Sequence, residues 1–250
     1  MRYQPSRTWV AWVAGLLLTG AASAEVEAGL VAWFPHIKGS ARKSGNVIDT
    51  VDFKRDLGLP DNNFAEFRLK WKFGQRSTLR FSYCDYAWQG NSLLTRPVTF
   101  NGQVYNLGTQ VLSEAQVQRV RIGYLYEPFR WKYGHLGFLF DVNGMFGSVR
   151  LQAPAQNINE RARGSFPLPC LGIVGGITPS SKLDLYADFS GLTAGQYGYL
   201  YDAELGAKIR PSKDFQVLVA YRQVEFKGKD KSNFAKFRLA GPVLSASAVF

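Results

Sequence analysis

Between Phe64 and Phe73 the chain reads FAEFRLKWKF, with Glu66, Arg68, Lys70 and Lys72 at every second position and Phe67, Leu69 and Trp71 between them. Successive side chains of a β-strand point to opposite faces, so this stretch makes a strand with one apolar and one strongly charged face. The pattern recurs along the chain. Leu79, Phe81 and Tyr83 alternate with Arg80, Ser82 and Cys84, and Val120, Ile122, Tyr124 and Tyr126 with Arg119 and Arg121. Leu136, Phe138, Phe140 and Val142 oppose His135, Asp141 and Asn143; Leu185, Ala187 and Phe189 oppose Asp184 and Asp188; Tyr201, Ala203, Leu205 and Ala207 oppose Asp202, Glu204 and Lys208. Helical periodicity is absent, so the fold class is all-β.

Segment counting predicts ten strands, near 25–35, 63–73, 77–88, 113–127, 133–149, 163–178, 182–190, 197–210, 215–227 and 233–250, with eight or twelve as alternatives. The stretch 163–178 is the weakest, because Pro167 and Pro169 cannot donate ladder hydrogen bonds and the strand then starts near Cys170. In the last strand Ala235, Phe237 and Leu239 share a face with Leu244, Ala246 and Ala248 only if a one-residue bulge intervenes near Gly241-Pro242. Short turns such as GQR and PSKD alternate with the long polar stretches 36–62 and 89–112, read as loops.

Arg2 and Arg7, the apolar run Trp9–Leu18 and the small residues Ala22-Ser23-Ala24 have the layout of a secretory signal peptide. This predicts a signal peptide over 1–24 and one barrel domain over 25–250. No apolar run beyond it is long enough for a helical span. The formal net charge of +11 would suggest nucleic acid in a cytosolic protein; export points instead to the phosphorylated lipid of a bacterial surface, and no nucleic acid is expected. Cys84 and Cys170 are expected as buried free thiols.

Alternation alone does not say which face meets water. Three features favour a bilayer. Trp33, Trp71, Trp88 and Trp131 fall at strand ends or in a turn, as aromatic girdles do. Most strands are about ten residues long, the length a tilted membrane strand needs. The alternating strand PVLSASAVF closes on Phe250. With these features the chain resembles the bacterial outer-membrane β-barrel proteins. That resemblance implies an antiparallel transmembrane barrel in the cell outer membrane of a Gram-negative bacterium, with termini and short turns in the periplasm and long loops outside. It also implies an assembly signal formed by Leu244, Ala246, Ala248 and Phe250 and read by the barrel assembly machinery.

On this reading Phe67, Leu69 and Trp71 face lipid, where a charge costs about 2–4 kcal/mol. The lumen then holds Glu66, Asp141, Asp184, Asp188, Asp202 and Glu204 against Arg68, Lys70, Lys72, Arg80, Arg119, Arg121, Lys208, Arg222, Lys236 and Arg238. Pairing across the interior plugs a small barrel, whereas an excess of cations makes a narrow anion-preferring pore. A surface-binding role through 36–62 and 89–112 is the rival. Lys38, Arg42, Lys43, Lys227, Lys229 and Lys231 at the outer rim would grip lipopolysaccharide phosphates.

Enzymes among similar barrels, which include lipid A-modifying and proteolytic ones, need a histidine near the outer rim. Only His36 is placed there, followed by Ser40, Ser44, Asp49 and Asp52 without a recognisable dyad or triad spacing. The acidic run Asp49, Asp52, Asp56 and Asp61 fits no compact calcium loop. The expectation is a monomeric, non-enzymatic barrel without cofactor or metal.

Overall fold

The computed structural model describes residues 24–43, 49–230 and 233–250. The expected signal peptide, but for its last residue, lies outside the described residues, as do Ser44, Lys231 and the side chains of Lys43 and Asp49. The strands in chain order are β1 (Ala24–Trp33), β2 (His36–Lys43), β3 (Asp49–Asp52), β4 (Phe64–Phe73), β5 (Ser77–Leu93), β6 (Val98–Phe100) and β7 (Gln103–Tyr105). They continue with β8 (Gln110–Trp131), β9 (Gly134–Ala153), β10 (Ile158–Ser180), β11 (Leu183–Thr193), β12 (Gly198–Ile209), β13 (Phe215–Asp230) and β14 (Asn233–Val249). Ten of them, in the order β1-β4-β5-β8-β9-β10-β11-β12-β13-β14, form an antiparallel barrel that closes where β14 pairs with β1.

Closure leaves no open edge in the membrane, the one arrangement that lets strands satisfy their backbone groups in lipid. No helix among the described residues is long and apolar enough to cross a membrane. The outward side chains of the strands form an apolar band, with Leu30, Ile122, Phe138, Leu171, Leu205 and Val219 each more than half exposed. One end of the barrel carries the short turns and both described termini, with the Phe250 and Val26 backbones exchanging hydrogen bonds of 2.9 and 3.0 Å. Following outer-membrane topology, we call it the inner end.

The stretches read as long loops build wall instead. β5 and β8 continue past the band in register to Leu93↔Gln110. The upper half of β14 pairs with β2 from Ala240↔His36 to Phe234↔Arg42, taking over where β1 leaves off, and β3 extends β2 as a hairpin. β6 and β7 form a separate hairpin between β5 and β8. A short chain segment, residues 53–61, lies against β5, and the approach is close: a Cβ on Gly90 would fall 2.2 Å from the Leu57 carbonyl oxygen.

β8 shows what this extension does to the pattern. From Val120 through Tyr126 its outward positions are Val120, Ile122, Tyr124 and Tyr126, and Arg119 and Arg121 point in. Above them Gln118, Gln116 and Glu114 point out, while Val117, Ala115 and Val111 point in and join an apolar core. β9 inverts at the same level, with Leu136, Phe138 and Phe140 outside below and Met145, Leu151 and Ala153 inside above. The membrane part is apolar outside and charged inside; the outer extension is the reverse, like a soluble barrel.

This inversion corrects several expectations. β14 pairs with β13 without a register shift from Phe215↔Ala248 to Asp230↔Asn233, so no bulge is needed. Phe237 and Leu239 point into the outer core while Leu244 and Ala246 point to lipid. Lys236 and Arg238 therefore lie on the outer face, not in the lumen: Lys236 pairs with Glu225 at 3.2 Å and Arg238 donates to Gln223. Trp33 and Trp88 are not girdle residues either. Both are buried in the outer core beside Phe64 and Tyr86, leaving Trp71 and Trp131 of the four on the outside. β10 runs through Pro167 and Pro169, because it pairs with β9 over its whole length but with β11 only from Leu171 downward, so both prolines sit against an unpaired edge.

Leu151→Asp, which buries an unpaired carboxylate in the outer core, is expected to open the extension and speed proteolysis between residues 93 and 110 without loss of the heat-modifiable membrane barrel. Glu114→Leu, on the outer face, is expected to change stability by about 0.5 kcal/mol or less.

Candidate functional site

The inward carboxylates and cations of the membrane part meet across the lumen. Arg222 of β13, 2% exposed, donates to both Asp202 oxygens at 2.9 and 2.7 Å and to Glu66 of β4 at 2.5 Å. Arg68 of β4 donates to Glu66 at 2.7 Å and forks onto Glu204 of β12 at 2.9 and 2.7 Å. Tyr186 of β11 donates to the same Glu204. On the opposite wall Arg119 of β8 lies 2.8 Å from Asp202 and donates to Asn143 at 2.6 Å, and Arg121 binds Asp141. Arg80 of β5 reaches Asp188 of β11 at 2.6 Å.

Several of these contacts join strands that are far apart around the barrel, β4 to β12, β8 to β12 and β5 to β11. They close the interior. Bidentate guanidinium–carboxylate pairs suit this task, because each fixes direction as well as distance. Above the layer stands the outer apolar core, and the two meet where the Arg222 guanidinium lies 4.9 Å over the Trp33 ring.

Below the layer the lumen opens at the inner end as a cup of about 710 Å³. Lys70 pairs there with Glu27 at 2.9 Å, Lys72 with Glu25 at 3.2 Å and Lys208 with Asp184 at 3.5 Å. His135 sits 2.8 Å from Glu127 and 3.6 Å from Asp184. Glu25, Glu27 and Glu127 are lumenal carboxylates that the sequence reading missed. The signal for the first two was the alternation in AEVEAG at the start of β1. Lys236 and Arg238 lie outside and these three carboxylates inside, while Arg130, Arg210, Lys213 and Asp214 also line the cup, so lumenal cations and carboxylates come close to balance. Cys84 and Cys170 are buried free thiols.

The outer loop residues go elsewhere. His36 bonds to Asp61 at 2.9 Å, not to Ser40 or Asp52, and Lys54 reaches the same Asp61 at 2.8 Å. Asp52 accepts the backbone N–H groups of Lys54 and Arg55 at 3.0 and 2.8 Å, an Asx-type turn. Asp56 is held by Arg55 at 2.9 Å and Arg96 at 2.5 Å. Burial pushes the Asp56 carboxyl up, but the hydrogen bonds from Arg55, Arg96 and the Asp52 backbone outweigh it and hold the group down at about 2. Burial likewise pushes the Asp61 carboxyl up, and the hydrogen bonds from His36, Lys54 and the Ile37 backbone outweigh it and hold the group down at about 2. Among the described residues no group of His, Cys, Asp and Glu is arranged to hold a metal.

Of the four terminal-strand positions, Leu244, Ala246 and Phe250 point outward and exposed, with Ala248 half-buried between its neighbours. At the outer rim Lys38 and Lys229 are exposed and Lys227 half-buried, and Arg42 stacks over Phe234 at 5.0 Å.

The closed wall, the outward apolar band and the charged interior together decide the class. The chain has the fold of the outer-membrane β-barrel proteins. Outer membrane protease OmpT from Escherichia coli superposes with a TM-score of 0.62 at 10% identity, covering 93% of this chain and 100% of that one. The translocator domain of autotransporter NalP from Neisseria meningitidis gives 0.43 at 13% identity, with 96% and 92% covered. Ail, the attachment invasion locus protein of Yersinia pestis, gives 0.40 at 10% identity, with 91% and 99% covered. No protein-family model and no curated protein matches the sequence. At 10% identity the OmpT likeness shows the fold alone.

Arg222→Ala leaves Glu66 and Asp202 buried without their principal partner and is expected to cost about 3–5 kcal/mol, read as a lower urea midpoint of the refolded barrel. A second expectation concerns acid. Because the folded carboxyls of Asp56 and Asp61 sit below the ordinary carboxylate value, their contribution to the outer loop is complete above about pH 5 and is lost as pH falls from about 4 to about 2. Hydrogen exchange of residues 53–61 should accelerate over that range, and the acceleration should shrink in Asp56→Asn.

Proposed function

We propose that this outer-membrane barrel is closed and non-conducting, a structural scaffold that carries an outer extension above the bilayer, without catalytic chemistry. The observation that carries the reading is the cross-lumen layer of Arg222, Arg68, Arg119 and Arg121 with their carboxylates, capped by the apolar core around Trp33 and Trp88. An ion would have to break several buried charge-assisted contacts and then cross a layer of packed hydrocarbon. An anion-preferring pore needs uncompensated cations, and each lumenal Arg or Lys named above meets a carboxylate or a buried amide. As to catalysis, His36 and Asp61 form a pair on the exposed rim, and Ser40 does not share its hydrogen bonds. Function then resides in the outer extension and its rim.

Planar bilayers containing the refolded, heat-modifiable protein are expected to show no discrete channels under a salt gradient. Channels with an anion-directed reversal potential, altered by Arg121→Ala, would replace this reading with the pore.

A further inference from the structure

Among the described residues the outer wall has a gap beside β10. β10 continues outward from Leu171 to Ile158, but its ladder with β11 ends at Leu171↔Gly191. Residues 158–170 of β10 therefore present an edge that no strand among the described residues covers. Across the gap stand the end of β11, the start of β12 and the upper parts of β13 and β14.

The gap is a cavity of about 640 Å³ with an almost wholly apolar lining. Phe166 and Leu168 form its β10 side, and Leu192, Leu200 and Phe226 face them. The rings of Phe166 and Phe226 stack at 5.4 Å, which fixes the two sides of the pocket against each other. This size lies within the roughly 300–1,000 Å³ of sites that hold a single small ligand.

Its position is informative. Leu171, just below the gap on β10, is 71% exposed and belongs to the lipid-facing band, as does Phe189 on β11. The pocket thus begins where the bilayer ends. Arg42, Lys227 and Lys229 are among its lining residues, with Lys227 on the outer face of β13 in register with Lys236, so the cations stand at the outside of the gap. Arg42 covers the Phe234 ring, while Lys227 and Lys229 have no carboxylate partner among the described residues. Within the charged layer, by contrast, Arg68, Arg119, Arg121 and Arg222 each meet a carboxylate. An apolar slot with cations at its mouth, set at the membrane–water boundary, is complementary to a molecule with a hydrocarbon tail and a negative head.

We propose that the gap between β10 and β11 binds one long-chain anionic amphiphile of the fatty-acid class, its chain among Phe166, Leu168, Leu200 and Phe226 and its head at Lys227 and Lys229. The inference is independent of whether the lumen conducts, because the pocket lies beside the apolar core and above the charged layer.

The test uses a diazirine-bearing C16 fatty acid and the matching C16 alcohol, photolysed with the full barrel in phosphatidylcholine nanodiscs and mapped by peptide mass spectrometry. The acid is expected to label Phe166, Leu168, Leu200 or Phe226 saturably, and excess unlabelled palmitate should remove the signal. Leu200→Trp, which fills the slot, should reduce that labelling at least fivefold. Lys227→Glu with Lys229→Glu should reduce it for the acid and leave the alcohol unchanged. Labelling spread without saturation over Phe138, Phe140 and the rest of the lipid-facing band would overturn the proposal. So would equal saturable labelling by acid and alcohol in the wild type, or a cross-linked dimer joined through residues 158–170, which would make the gap an interface between copies. The wild-type map decides the matter even if a variant fails to fold.

Discussion

The cost of burying charge organises this barrel. A guanidinium taken out of water is tolerated only with partners that return most of its hydration energy, and Arg222, at 2% exposed, has them on two strands. Glu66 in turn is shared with Arg68, Asp202 with Arg119, and Glu204 with Arg68 and Tyr186. No member of this network can be removed without stranding another, so the walls are tied to one another through the interior as well as around the circumference. The same groups could not face lipid, which forces the apolar side chains of β4, β5, β8 and β9 outward and defines the membrane band.

Above the charged layer the constraint reverses. Strands that leave the bilayer meet water outside, and the apolar side chains that filled the outside below now fill the inside. The period stays at two throughout, so the switch is made by chemical identity and not by a bulge: in β8 the sequence passes from Val117 inward to Val120 outward without any change of register. Trp33 marks the junction, one face of its surroundings being Arg222 and the other the aromatic cluster of Phe64, Tyr86 and Trp88.

That switch explains what the sequence made legible and what it hid. From Glu66 to Phe73 the opening stretch lies within the membrane part, where its alternation separates charged from apolar faces, while Phe64 at its start already belongs to the outer core. The ten strands and the all-β class follow from the same signal. A tryptophan at a strand end reads identically whether it faces an interface or a core, because parity within one strand says nothing about which solvent lies outside it at that height; Trp33 and Trp88 were therefore misplaced, and Lys236 and Arg238 with them. The stretches 36–62 and 89–112 looked like loops because strands exposed to water on one face carry more polar residues than strands in lipid. The pairing of His36 with Asp61, twenty-five positions apart, has no local spacing to betray it.

Pro167 and Pro169 link the fold to the outer site. In sequence they argue against a strand; in the structure they occupy the one stretch of wall where a missing N–H leaves no neighbour unsatisfied. A ladder continued upward from Leu171 and Gly191 would close the gap and bury the faces of Phe166 and Leu168 against the barrel's own side chains. Two residues unable to donate to such a ladder hold that edge open, much as edge prolines block unwanted strand addition elsewhere. The pocket at the rim and the apparent defect in the strand pattern are then the same feature, seen once in the structure and once in the sequence.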